Sequence, residues 1–149
     1  RRLGCSTQPV YLSFQGMDDL RKELVPIAVQ RFKDFMTEGE AFSLYGEKYI
    51  AFAEKEKNLF RFLFLRKEAF PEIKELLNPE IEKNIKTLME TYGISHEEAD
   101  KLHDHLWMHA HGIASMIATD FCHWDRKKAV SMIEESKEVF LSAYEKQHR

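Results

Sequence analysis

Four histidines fall within nine residues in "HDHLWMHAH": His103, His105, His109 and His111. Imidazole binds metals, moves protons near neutral pH and can donate or accept a hydrogen bond. The cluster is therefore the first candidate for chemistry. On a straight α-helix of 3.6 residues per turn, His103 and His111 lie about 80° apart, flanking Trp107. His105 and His109 lie across the helix from them, so one ion cannot take all four. Only His105 and His109, at i and i+4, have the spacing that metal-binding helices use. A third ligand would have to come from elsewhere, and no cysteine or carboxylate pattern points to one. The pair reads as interface or core-edge histidines. A metal-binding helical protein or metalloenzyme using His105 and His109 is the alternative reading. No metal or other cofactor is expected.

Other catalytic patterns are missing from the 149 residues. There is no Gly-rich phosphate loop, no G-x-S-x-G, no H-E-x-x-H and no Cys/His pair with a reason to meet. The reading is therefore not an enzyme. A formal charge of −3 argues against broad coating of nucleic acid but leaves room for a small DNA-contact surface. Charged residues make up 32% of the chain, and no apolar run approaches the ~20 residues of a spanning helix. The start, "RRLGCSTQPVY", has no apolar stretch behind its arginines, so no signal peptide is read there. Cys5 and Cys122 stand far apart and read as free thiols in a reducing cytoplasm.

The elements that must position these residues are helices. Only six Gly and four Pro occur, against many Leu, Glu, Lys, Met and Ala, which predicts an all-α protein. Met17, Leu20, Leu24, Ile27, Ala28, Phe32 and Phe35 have helical spacing, with Asp18 and Asp19 in the first turn and Pro26 as a kink. A second helix is predicted over about 43–57, with Leu44, Tyr49, Ile50 and Phe52 inward. The aromatic run "NLFRFLFLRKEAF" reads as a buried helical turn or two. Asn78 and Pro79 read as N-cap and first position of the next helix, and Gly93 as its end.

Ser95 and Glu98 have capping-box spacing and open a long helix to about Asp120. Its main core face comprises Leu102, Leu106, Trp107, Ala110, Ile113, Ala114, Ile117, Ala118 and Phe121. The opposite side carries Met108, Gly112, Ser115, Met116 and Thr119, small or flexible residues that suit close approach of another helix. A homodimer seam is the economical explanation, with a central helix of a larger bundle as the alternative. The last helix begins near Asp125, with Val130, Ile133, Phe140, Leu141 and Tyr144 on one stripe.

The stretch "GCSTQPVYLSF" reads as a tight turn at Gly4 and a short helix capped by Ser6. "LGCSTQPVYLSF" followed by "MDDL" resembles the end of the helix-turn-helix of the TetR family of transcriptional regulators, with Leu3, Gly4, Ser6, Tyr11, Phe14 and Leu20 in register. Trp107, His111 and Gly112 are similar to the tryptophan-histidine-glycine signature of one class of TetR C-terminal domain. "YIAFAEKEKNLFRFLF" looks like the helix leading into the effector domain.

The resemblance implies residues 1–16 as the distal part of a truncated helix-turn-helix domain and 17–149 as a ligand-binding and dimerisation domain. It implies a homodimer, operator DNA as a partner of the complete protein, and a small hydrophobic or amphipathic effector. Ser6, Thr7, Gln8, Pro9 and Tyr11 would meet bases or phosphates. Phe52, Phe60, Phe64, His103, Trp107 and His111 would face the effector. Met108, Gly112, Ser115, Met116, Val130, Ile133 and Phe140 would form the dimer seam. Met17 stands where many relatives have a phosphate-contacting lysine. Without the helices that normally support a recognition helix, these 149 residues are expected to bind operator weakly or not at all.

Overall fold

A computed structural model describes residues 4, 6–37 and 45–147, the side chains of 145–147 excepted. Among the described residues all regular structure is helical: α1 (Gln8–Ser13), α2 (Met17–Thr37), α3 (Tyr45–Lys55), α4 (Lys57–Phe64), α5 (Phe70–Tyr92), α6 (His96–Ala118) and α7 (Arg126–Gln147). None of these helices is long and apolar enough to cross a membrane. Leu3, Cys5 and Leu44, all named above, lie outside the described residues.

Local sequence explains most boundaries. The capping box of α6 is formed: the Glu98 N–H donates to Ser95 Oγ at 3.4 Å, and the Ser95 N–H donates to Glu98 Oε2 at 2.7 Å. Gly93 closes α5 in the left-handed conformation (φ 66°, ψ 28°), where a Cβ would be strained. Glu56 (φ −117°, ψ 46°) interrupts the helical geometry between α3 and α4.

Two expectations, the start of α5 and the place of Phe121, are corrected. Asn78 and Pro79 do not start a helix; α5 begins at Phe70 with Pro71 in its first turn and runs through Pro79. Pro79 and Glu75, whose carbonyl loses its usual donor, are both exposed, so water can meet that carbonyl. On α2 the buried stripe is Val25, Ala28, Val29 and Phe32, while Met17, Leu24 and Ile27 are exposed. The apolar arc there is wider than the face that packing uses. Phe121 lies past the end of α6 and is 81% exposed rather than in the core.

Two clusters fill the interior. The larger is aromatic: Phe32 meets Phe52 edge-on at 5.0 Å, and Tyr49, Phe60 and Phe64 complete a mesh of tilted rings joined to Ile113, Ile117 and Ile133. The smaller is aliphatic, with Ile85, Leu88, Ala99 and Leu102 between α5 and α6 and Phe140, Leu141 and Tyr144 of α7 against them. Helix α3 approaches α7 closely at Gly46, where an added Cβ would stand 2.7 Å from Ile133 Cγ2. The C-terminal end of α6 is tied to α4. Arg61 Nε donates to the Ala118 carbonyl at 2.6 Å, Arg61 Nη2 reaches Asp120 at 3.2 Å, and Lys57 pairs with the same carboxylate.

Candidate functional site

His103, Trp107 and His111 share one face of α6 and line a cavity of about 860 Å³. Helices α2, α3, α4 and α5 supply the rest of its wall, including Phe32, Phe64, Phe70, Leu77 and Glu80. Trp107 stacks on His111 (4.9 Å between centroids, 26° between planes), and Phe70 leans on the indole from α5 at 5.7 Å. The volume and the apolar, aromatic wall suit a small-molecule pocket with a few polar fixtures.

Those fixtures are specific. Tyr49 Oη lies 2.9 Å from His111 Nδ1. The Tyr49 ring is buried, which pushes its pKa well above the ordinary phenol, partly offset by the Trp107 indole beside its hydroxyl. Tyr49 Oη and His111 Nδ1 share one hydrogen bond, donated by the phenol when the neutral imidazole carries its proton on Nε2 and by the imidazole when it carries it on Nδ1. Burial lowers the His111 pKa. His111 Nε2 makes no hydrogen bond among the described residues. His103 is 9% exposed, and its buried Nδ1 has no hydrogen-bond partner; Asp104 Oδ1, at 3.9 Å, is too far. Burial lowers the His103 pKa, against the opposing pull of Asp104 and Asp100.

A second polar group sits where α2, α3 and α5 meet. Lys33 Nζ pairs with Glu80 Oε1 at 3.0 Å, leaving Glu80 Oε2 buried without a partner. Tyr45 lines the wall nearby, its pKa pushed up to about 12 by burial and by the charge of Glu80. Lys48 Nζ donates to the Met36 carbonyl at 2.9 Å.

Of the six residues expected to face an effector, Phe64, His103, Trp107 and His111 line the cavity. Phe52 and Phe60 do not: both are 0% exposed and belong to the aromatic core. Phe60 acts from behind, stacked on His111 at 5.8 Å and 27°. A helix begun at Asn78 leaves the α5 wall residues Phe70, Ile73 and Leu77 outside it. Their helical spacing becomes visible once it is started at Phe70.

The other two histidines have different surroundings. His109 Nε2 lies 2.7 Å from Ser136 Oγ, and that hydroxyl donates to the Met132 carbonyl at 2.8 Å, so it accepts from the imidazole. His105 stacks on Phe140 at 5.4 Å and 25°. Among the described residues no group of three His, Cys, Asp or Glu side chains is placed to hold a metal ion.

On the seam side of α6, Met108 is 53% and Met116 37% exposed, and a Cβ on Gly112 would meet open space. Ser115 Oγ is buried without a partner. Val130 and Phe140 are half-buried, Phe140 against His105 and His109 of its own chain. Ile133 corrects the expected seam: at 8% exposure it is taken up by the chain's own core, against Gly46.

Ser6, Thr7, Gln8, Pro9 and Tyr11 are all exposed, and α1 buries none of its residues. The N-cap is Thr7 rather than Ser6; Ser6 Oγ accepts from the Gln8 N–H at 3.4 Å. Comparison with protein-family models, curated proteins and solved structures finds no match to this chain.

Proposed function

We propose that the protein is a ligand-responsive, DNA-binding transcriptional regulator of the TetR type, acting in the cytoplasm as a homodimer. The observation that carries this reading is the aromatic cavity of about 860 Å³, one wall of which is α2, the helix that leads directly from the exposed α1. An effector in the cavity would act on α2, and α2 on the reading element that carries Ser6, Thr7, Gln8, Pro9 and Tyr11. The exposed Met108 and Met116 of α6, with Gly112 between them, support a helix-to-helix seam on the opposite side. Ligand binding would favour a dimer whose two reading elements no longer match half-sites one DNA turn apart, about 34–36 Å.

The test is selection from a pool of random DNA duplexes by the full-length product of the gene that encodes this chain. The expected outcome is a two-fold-symmetric site with half-sites one turn apart. A dimer that enriches no sequence at low salt would remove the DNA-binding reading and leave a ligand-binding helical protein.

A further inference from the structure

The cavity has an aromatic end and a charged end. Phe70 meets Trp107 where α5 begins, and Ile85 and Leu88 cluster with Ala99 and Leu102 about four turns later, so α5 and α6 run antiparallel along its length. Phe32, Leu63, Phe64, Trp107 and His111 line the first end. Glu80, Lys83, Asn84, Asp100 and Asp104 line the second, and Lys33 joins it by pairing with Glu80 at 3.0 Å.

At the charged end the two signs are kept apart. Lys83 stands three residues after Glu80 on α5, so with Lys33 this flank holds two cations against one carboxylate. Asp100 and Asp104 belong to α6, one turn apart on the other side of the space. Lys74 is nine residues before Lys83, which by helical pitch is half a turn around α5 from it. It lies on the α6 side, 5.8 Å over the Phe70 ring, where it opposes the effect of the two aspartates on His103. The sixth flanking charge, Lys48, donates to the Met36 carbonyl. Among the described residues no lysine, arginine or carboxylate forms an ion pair with Lys83, Asp100 or Asp104. The protein also leaves polar capacity unfilled at this end: His103 Nδ1 and Glu80 Oε2 are both buried without a partner.

This separation disfavours a ligand of single charge. An anion drawn to Lys83 faces Asp100 and Asp104 across the space, and a cation drawn to the aspartates faces Lys33 and Lys83. A head group that carries both charges gains on each side. We propose that the cavity takes a zwitterionic amphiphile, with its anionic group toward Lys33 and Lys83, its cationic group toward Asp100 and Asp104, and its apolar chain against Phe64 and Trp107. This deepens the reading of the cavity as an effector site and rests on it.

The experiment uses the protein with Trp124→Phe, which leaves Trp107 as the only tryptophan, and follows its fluorescence during titration. The probes share a decyl chain and differ in the head: decanol, decanoate, decyltrimethylammonium and the zwitterion N-decyl-N,N-dimethylglycine. The zwitterion should bind most tightly, roughly threefold to fivefold ahead of either ion, the scale of one exposed ion pair. That lead should shrink in 1 M salt, where the screening length is about 3 Å. Asp100→Asn with Asp104→Asn should shift the preference between the ions toward decanoate, and Lys83→Gln should shift it toward decyltrimethylammonium. If the alcohol or either ion binds most tightly, if salt leaves the lead of the zwitterion intact, or if the two sets of variants do not shift the preference in opposite directions, the inference is overturned while the effector cavity stands. If none of the four probes changes the fluorescence of Trp107, the effector cavity itself is overturned.

Discussion

The two sides of α6 use the same residue type in opposite ways. His103 and His111 face a cavity, each with at least one ring nitrogen left open. His105 and His109 face α7, one stacked on Phe140 and the other joined to Ser136. Two residues of displacement along a helix, about 200° of rotation, separates a site from a seam. The lesson concerns what histidine density means. A cluster along the chain is four separate environments when the helix is regular, and the cavity pair is the one whose hydrogen bonding is incomplete.

The sharpest way to break this contrast is to remove what supports each side. Phe60→Ala deletes a fully buried ring stacked behind His111, and should cost about 3–5 kcal/mol in urea unfolding. Phe70→Ala, which removes a 56% exposed ring over Trp107, should change stability little and weaken ligand binding instead. Equal stability losses for the two would mean that the cavity wall is ordinary core.

Acid gives the next largest effect. Burial holds the His103 and His111 pKa values below the ordinary histidine value, so the unfolded chain takes up protons at a higher pH than the folded one. Their contribution is whole above about pH 6.5 and is lost as pH falls from there through the depressed folded values. Each can add a slope of at most about 1.4 kcal/mol per pH unit. His103→Leu should flatten that slope in unfolding free energy measured between neutral and mildly acidic pH. An unchanged slope would place the acid sensitivity elsewhere.

The smallest effect belongs to the α7 side. Ser136→Ala removes the partner of His109 and should cost about 1 kcal/mol, with no change in affinity at the cavity. A change in ligand affinity of tenfold or more would show that the two sides are coupled through α6.

Much of this arrangement can be read from the residues alone. Ser95 with Glu98, and Gly93 before them, mark the α5–α6 junction because caps are local chemistry, complete within four residues. The division of the histidines into two faces follows from helical pitch. The errors arise where tertiary contacts choose between locally equal options. Asn78–Pro79 and Phe70–Pro71 both look like helix starts, and only the packing of Phe70 and Ile73 along the cavity and core selects the second. Phe52, Phe60 and Phe64 are one residue type on adjoining helices, and which of them meets the void depends on the break at Glu56. Ile133 reads as part of a dimer seam until Gly46 lets α3 come against it.

The tie between Arg61 and the end of α6 has a mechanical consequence. The Ala118 carbonyl and the Asp120 carboxylate are both gripped by one guanidinium, with Lys57 beside it, so α4 and α6 are clamped at that end. The facing wall is made differently: α5 carries cavity residues on either side of Pro79, which cannot donate to the Glu75 carbonyl. A molecule too large for the space is therefore expected to push the proline-interrupted wall before the bolted one. Its size would be registered as displacement of α5, and through Lys33 and Glu80 that displacement reaches α2.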